Sequence, residues 1–200
     1  MVGVAENGNS VALVTVAAGG ALLDRRQVDL TPRELPTHPH HHEGSWAVGR
    51  YLNTPGARPM PLAEAVALVE QVRIAAARGA RESLAALAGA LSVPIAGIAI
   101  RACPELPPTV EERIIDPRAQ TYADSVMYRQ ALATAAEARG WFVRWYDRER
   151  VFHDAAAALA GADPEARLRE MGREAGPPWQ ARHKLAAAAA LACLGPDTKN

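Results

Sequence analysis

A chain of 200 residues, 49% apolar and 22% charged, can bury a full core without disulfide or metal staples and is too apolar for general disorder. Its 22 basic and 22 acidic side chains cancel, which argues against non-specific coating of nucleic acid but leaves room for a local basic groove. The two distant cysteines, Cys103 and Cys193, match no CxxC pattern, and MVGVAENGNS lacks the basic and apolar regions of a secretory signal, so a reduced, cytoplasmic chain is expected.

Residues 1–30 read as three short strands. Val2–Ala5 ends at the turn formers Glu6-Asn7-Gly8-Asn9, and Val11–Val16 ends at Ala17-Ala18-Gly19-Gly20. Over Ala21–Leu30, Leu22, Val28 and Leu30 are expected to share one face. Turns this short force antiparallel neighbours, hence a meander. From Thr31 to Pro61 the chain is crowded with proline and carries His38-Pro39-His40-His41-His42-Glu43. Each prolyl ring removes a backbone donor and fixes φ, so a long loop is expected, with Trp46 and Tyr51 as its hydrophobic anchors.

Apolar residues recur at helical spacing from Leu62 to Leu91, with an interruption expected at Gly79. Ile95–Ile100 is a continuous apolar run, the pattern of a central strand, stopped by Cys103-Pro104-Glu105-Leu106-Pro107-Pro108. A polar tract leads to a helix over Asp124–Arg139, ended by Gly140. A fifth strand over Trp141–Tyr146 follows, then helices over Val151–Leu159, Pro164–Gly172 and His183–Leu194. The run Leu185–Leu194 is far short of the roughly 20 apolar residues that span a bilayer, so no membrane association is expected. Residues 1–195 read as a single domain, and 196–200 as a disordered tail. Arginine far outnumbers lysine and alanine is abundant, which we read as the bias of a GC-rich, bacterial genome.

Several polar residues invite two readings each. Glu105 follows an apolar strand inside a proline-stiffened segment, the kind of sheet edge where ligand sites gather, or it is a solvated loop carboxylate. Glu6 before Asn-Gly is either a site residue or part of a plain hairpin. His183 opens an alanine-rich helix as a ligand or as a helix-entry residue packed on Trp179. Asp124 caps the helix that follows it or adds a carboxylate at the same edge. The arginines Arg101, Arg113, Arg118 and Arg129 line a phosphate-binding face or a solvated surface. The His38–Glu43 cluster lacks metal-site spacing, which leaves adventitious metal binding or a pH-sensitive loop. Cys103 has no evident His partner and reads as a small hydrophobe. No GxxxxGK[ST], GxGxxG or GxSxG occurs, so these residues give no support to P-loop, dinucleotide or hydrolase-elbow chemistry.

The order meander, long loop, helix, strand, helix, strand and terminal helices resembles the ribonuclease H-like superfamily, and within it the Holliday-junction resolvases of the RuvC type. The resemblance implies an α/β fold: a three-strand antiparallel meander extended by two parallel strands and flanked by helices. Members carry an Asp before a Gly-containing turn after the first strand, an acidic residue after the fourth, and an acidic pair on the last helix. In this chain Glu6 stands at the first position, Glu105 at the second and His183 at the third. The resemblance thus implies catalytic Glu105 and Glu6, with Glu6, Glu105 and His183 as ligands of Mg²⁺ or Mn²⁺. Two glutamates and a histidine suit one Mn²⁺ better than two Mg²⁺, because Mn²⁺ accepts imidazole more readily. The function implied is a metal-dependent phosphodiesterase acting on structured nucleic acid. The alternative is a catalytically incompetent scaffold or binding module of the same fold. Resolvases of this type are commonly homodimers, which makes a homodimer the assembly the resemblance implies.

Overall fold

The computed structural model describes residues 1–159 and 163–194. The tail expected at 196–200 lies outside the described residues. Strands β1 (Val2–Asn7) and β2 (Ser10–Val16) pair antiparallel across a two-residue turn, with Gly8 at φ +59°. That tight turn lets the ladder run two residues beyond the expected end of β1. Glu6 is therefore a strand residue opposite Val11 rather than part of a loop.

Strand β3 (Leu22–Asp29) completes the meander, and its register shifts where it passes Thr15 and Val16. The shift changes which face Leu22 occupies. It packs with the cluster around Val14 and Val16, while Val28 and Leu30 pack on the opposite side of the sheet. The three therefore do not share the expected face, because an extra residue in a strand reverses the alternation beyond it. Strand β4 (Gly97–Arg101) lies parallel to β1, and β5 (Phe142–Tyr146) parallel to β4. The sheet order β3-β2-β1-β4-β5 is the arrangement expected of a ribonuclease H-like fold.

Helices cover both faces. On one, α2 (Leu62–Ala90) and α4 (Pro117–Glu137) bury Val72, Leu84, Leu87, Tyr128 and Leu132 against Val2, Val4, Leu13, Ile98 and Ile100. On the other, α5 (Val151–Ala158), α6 (Pro164–Ala175) and α7 (Ala181–Ala192) cover Ala5, Val14, Val16 and Ala99. Alanine suits α7 because the helix lies almost on the strand: a Cβ added at Gly3 would sit 1.8 Å from the Ala186 carbonyl oxygen. Gly79 does not interrupt α2. It admits the Leu30 carbonyl, which would lie 2.1 Å from an added Cβ.

The polar tract after Glu105 is more regular than expected. It forms α3 (Val110–Ile115) and the first turns of α4. Thr109 and Glu112 make a reciprocal capping box, and Asp116 caps α4 ahead of Pro117. Inside the loop at 31–61 there is also a short helix, α1 (Glu43–Ala47). Among the described residues no helix is long and apolar enough to cross a membrane.

Candidate functional site at the sheet edge

The C-terminal ends of the parallel strands open onto two adjoining concavities. One, of about 1130 Å³, is bounded by the segment Arg101–Pro107, the first turns of α4, and Tyr146–Glu149. Glu105 lies here and is exposed. The other, of about 670 Å³, lies between Ala5-Glu6-Asn7 at the end of β1, Phe152 on α5, and Gln180-Ala181-Arg182 at the start of α7. Arg101 and Arg148 line both.

Glu6 stands at the boundary, held by a charge. The Arg129 guanidinium reaches across from α4 and donates its Nε–H to Glu6 Oε1 at 2.7 Å; its Nη2 contacts the same oxygen. Its Nη1 donates to the Ala102 carbonyl at 3.0 Å, tying the end of β4 into the same knot. Both side chains are only 5% exposed. Beside them the Tyr146 hydroxyl donates to the Val4 carbonyl at 2.8 Å, and burial, reinforced by the Glu6 charge, pushes its pKa up. Burial also raises the Cys103 thiol, an effect that the nearby Arg129 partly opposes.

His183 is buried and engaged locally. Its Nδ1 accepts the Gln180 backbone N–H at 2.9 Å, capping α7, and its ring stacks on Trp179 with centroids 5.8 Å apart. Burial and the Arg25 and Arg182 charges lower its pKa. The implied Mg²⁺ or Mn²⁺ can be tested against these donors. Glu6 Oε1 holds a guanidinium, the His183 lone pair at Nδ1 holds a backbone proton, and Glu105 opens into the other concavity. Among the described residues, no three His, Cys, Asp or Glu side chains converge to hold a metal ion. The donor set does not fit the metal.

The four arginines expected on a phosphate face divide. Arg101 and Arg118 line the larger concavity. Arg113 instead staples the proline segment, donating to the carbonyls of Pro107 at 2.7 Å and Pro108 at 3.2 Å. Arg129 also lines the larger concavity, but its guanidinium is tied to Glu6. Two arginines that carried no sequence signal, Arg148 in the turn after β5 and Arg182 in the first turn of α7, join Arg101 around the smaller concavity. Among the described residues lining it, Glu6 is the only carboxylate. The larger concavity is mixed, and its Asp116 and Asp147 accept backbone N–H groups at a helix start and a turn.

Asp124 neither caps a helix nor faces the edge. It lies two turns into α4, is 3% exposed, and accepts the His40 and His41 backbone N–H groups at 3.0 Å and contacts His40 Nδ1 at 2.8 Å. Ser45 donates to Gln120 at 2.7 Å, and Arg50 donates to Gln120 and to the Ile115 carbonyl. The loop at 31–61 is thus docked on α4 by buried polar groups. Tyr51, expected to be an anchor, is 57% exposed. Burial lowers the His38 pKa and raises that of Glu43.

No family model and no curated protein matches the chain. Two solved structures resemble it. One is T. thermophilus RuvC in complex with a Holliday junction substrate, at 17% identity over 96% of this chain and 89% of that one, with a TM-score of 0.48. The other is a further structure of Thermus thermophilus RuvC, at 16% identity over 96% of this chain and 90% of that one, with a TM-score of 0.44.

Proposed function

We propose that this protein is a binding module on a ribonuclease H-like scaffold, which holds structured nucleic acid at the arginine-bearing sheet edge without divalent-metal chemistry. The observation that carries this reading is the Arg129 guanidinium on Glu6. A buried carboxylate already neutralised by a forked cation has no charge left for a hard dication, and displacing the guanidinium would leave it buried beside that dication. The same pair removes the negative charge that would repel phosphate from the smaller concavity.

Arg101, Arg148 and Arg182 then offer guanidinium forks around a space open to solvent, the chemistry that matches phosphate oxygens. The neutral overall charge fits a localised contact better than a coat. The test is fluorescence anisotropy with a duplex, a four-way junction and a single strand across a salt series. Arg101→Glu and Arg148→Glu are expected to weaken binding and to reduce the salt slope by about one for each phosphate that is no longer neutralised. Binding unchanged by both reversals would overturn the reading.

The phosphodiesterase reading keeps one specific support. Glu105 is exposed at the rim of the larger concavity and has no cation tied to it among the described residues. It predicts Mn²⁺-dependent cleavage that Glu105→Gln abolishes in folded protein.

A further inference from the structure

The docked loop carries a third concavity, remote in sequence from the sheet edge. It measures about 410 Å³ and is lined by His41, His42, Trp46, Tyr51, Thr54 and Pro55. Four of these six side chains are flat rings. His42 stacks on Trp46 with planes 15° apart, and His41 lies 5.4 Å from His42 and 6.3 Å from Tyr51, centroid to centroid. Tyr51 sits at φ +55°, a conformation that costs a non-glycine residue energy and that clusters at ligand clamps. A short turn fixes it there, with the Thr54 N–H and hydroxyl both donating to the Tyr51 carbonyl.

Rings left in solvent this way are normally costly to order, yet the loop beneath is fastened by the buried contacts of Asp124 and Gln120. The cleft is therefore preorganised rather than collapsed. We infer that it is a stacking site for an unpaired nucleobase. Its chemistry selects that ligand over others. Among the described residues that line it, Pro55 is the only aliphatic side chain, too little for an acyl chain, whereas the ring faces suit the π-face that every base carries. Its position suits the same ligand. The first turns of α4 hold the loop through Gln120 and Asp124, while Arg118, Tyr122 and Ser125 of those same turns line the larger concavity at the arginine edge. A strand held by phosphate at the edge has the cleft beside it across one helix.

The inference rests on the nucleic-acid reading for its partner, and the arms below separate the two. Short single strands of DNA and of RNA carrying 2-aminopurine, and a fully paired duplex of the same sequence, are titrated with the intact protein. The variants are Tyr51→Gly, Tyr51→Phe and Arg101→Glu. Tyr51→Gly removes the ring at a φ that glycine prefers, so the fold is kept or stabilised while the platform is lost. The expected result is 2-aminopurine quenching by the wild type and by Tyr51→Phe. Affinity for single strands falls about tenfold in Tyr51→Gly, and duplex affinity is unchanged. A preference for the DNA or the RNA strand identifies the source of the base. If Tyr51→Gly leaves single-strand affinity and quenching intact, the stacking site is refuted, whatever Arg101→Glu does. If Arg101→Glu, like the Arg148→Glu reversal above, has no effect while Tyr51→Gly abolishes quenching, the edge reading fails and the cleft stands. Capture of a proline-rich peptide lost in Tyr51→Gly, without quenching of any oligonucleotide, would overturn the nucleobase assignment.

Discussion

Arg129→Met is the perturbation to which the sheet edge should be most sensitive. It leaves the Glu6 carboxylate, 5% exposed, without its counter-charge and frees the Ala102 carbonyl. Removing one partner of a buried ion pair costs about 3–5 kcal/mol, because the other charge stays buried and uncompensated. Water in the two adjoining concavities moderates that penalty, so about 3 kcal/mol is the expected loss. Against a typical total of about 5–15 kcal/mol, this is a large fraction. With a urea slope of about 1–3 kcal/mol per molar, the denaturation midpoint should fall by roughly 1–3 M. Glu6→Gln should cost less, because a long arginine stem can swing its cation towards solvent. The double variant Glu6→Gln/Arg129→Met buries no charge at this point and should be more stable than Arg129→Met alone, giving a coupling of about 2 kcal/mol in the cycle. A loss below about 1 kcal/mol in Arg129→Met, with the two changes additive within about 0.5 kcal/mol, would refute the claim that this pair organises the edge.

Gly3→Ala should destabilise by about 1–3 kcal/mol in urea, since its Cβ would meet the Ala186 carbonyl at 1.8 Å; Gly19→Ala, in open space, should change little. Asp124→Asn should cost about 1.5–3 kcal/mol for weakened bonds to a charged acceptor and should raise hydrogen exchange across 38–47 before the sheet opens. Acid should weaken the start of α7. The folded-state pKa of His183 is depressed below 6.5, so its contribution is present above that value and is lost as pH falls through the folded pKa. The melting temperature of the wild type should therefore drop on acidification from about pH 6.5 by more than that of His183→Gln, and identical pH profiles would contradict the capping role.

Much of the fold was legible because its signals are periodic. The β-branched runs, the continuous apolar Ile98–Ile100 and the long helix from Leu62 each carry their period in the residues themselves. What misled was chemistry that serves structure. Thr109, Glu112 and Asp116 look like loop residues because helix starts need polar caps, so α3 and the first turns of α4 were hidden. Asp124 looked like a cap, yet it binds a loop that lies 83 residues away along the chain at His41, a pairing no local pattern encodes. Gly79 looked like a break because its reason, the Leu30 carbonyl, comes from another element. Glu6, Glu105 and His183 could be placed near strand and helix ends from sequence. That Glu6 would be claimed by Arg129, 123 residues on, could not. Arg148 and Arg182 flank one concavity only because β5 ends and α7 begins at the same edge.

The most direct test of the central claim is a four-way DNA junction incubated with the protein and Mn²⁺, with binding and strand cleavage read from the same samples and Glu105→Gln run alongside. A binding module should show salt-sensitive binding that needs no divalent cation and is weakened by Arg101→Glu and Arg148→Glu, with the junction strands intact in wild type and variant. Mn²⁺-dependent cleavage by the wild type that Glu105→Gln abolishes would contradict it and assign the edge to phosphodiester hydrolysis.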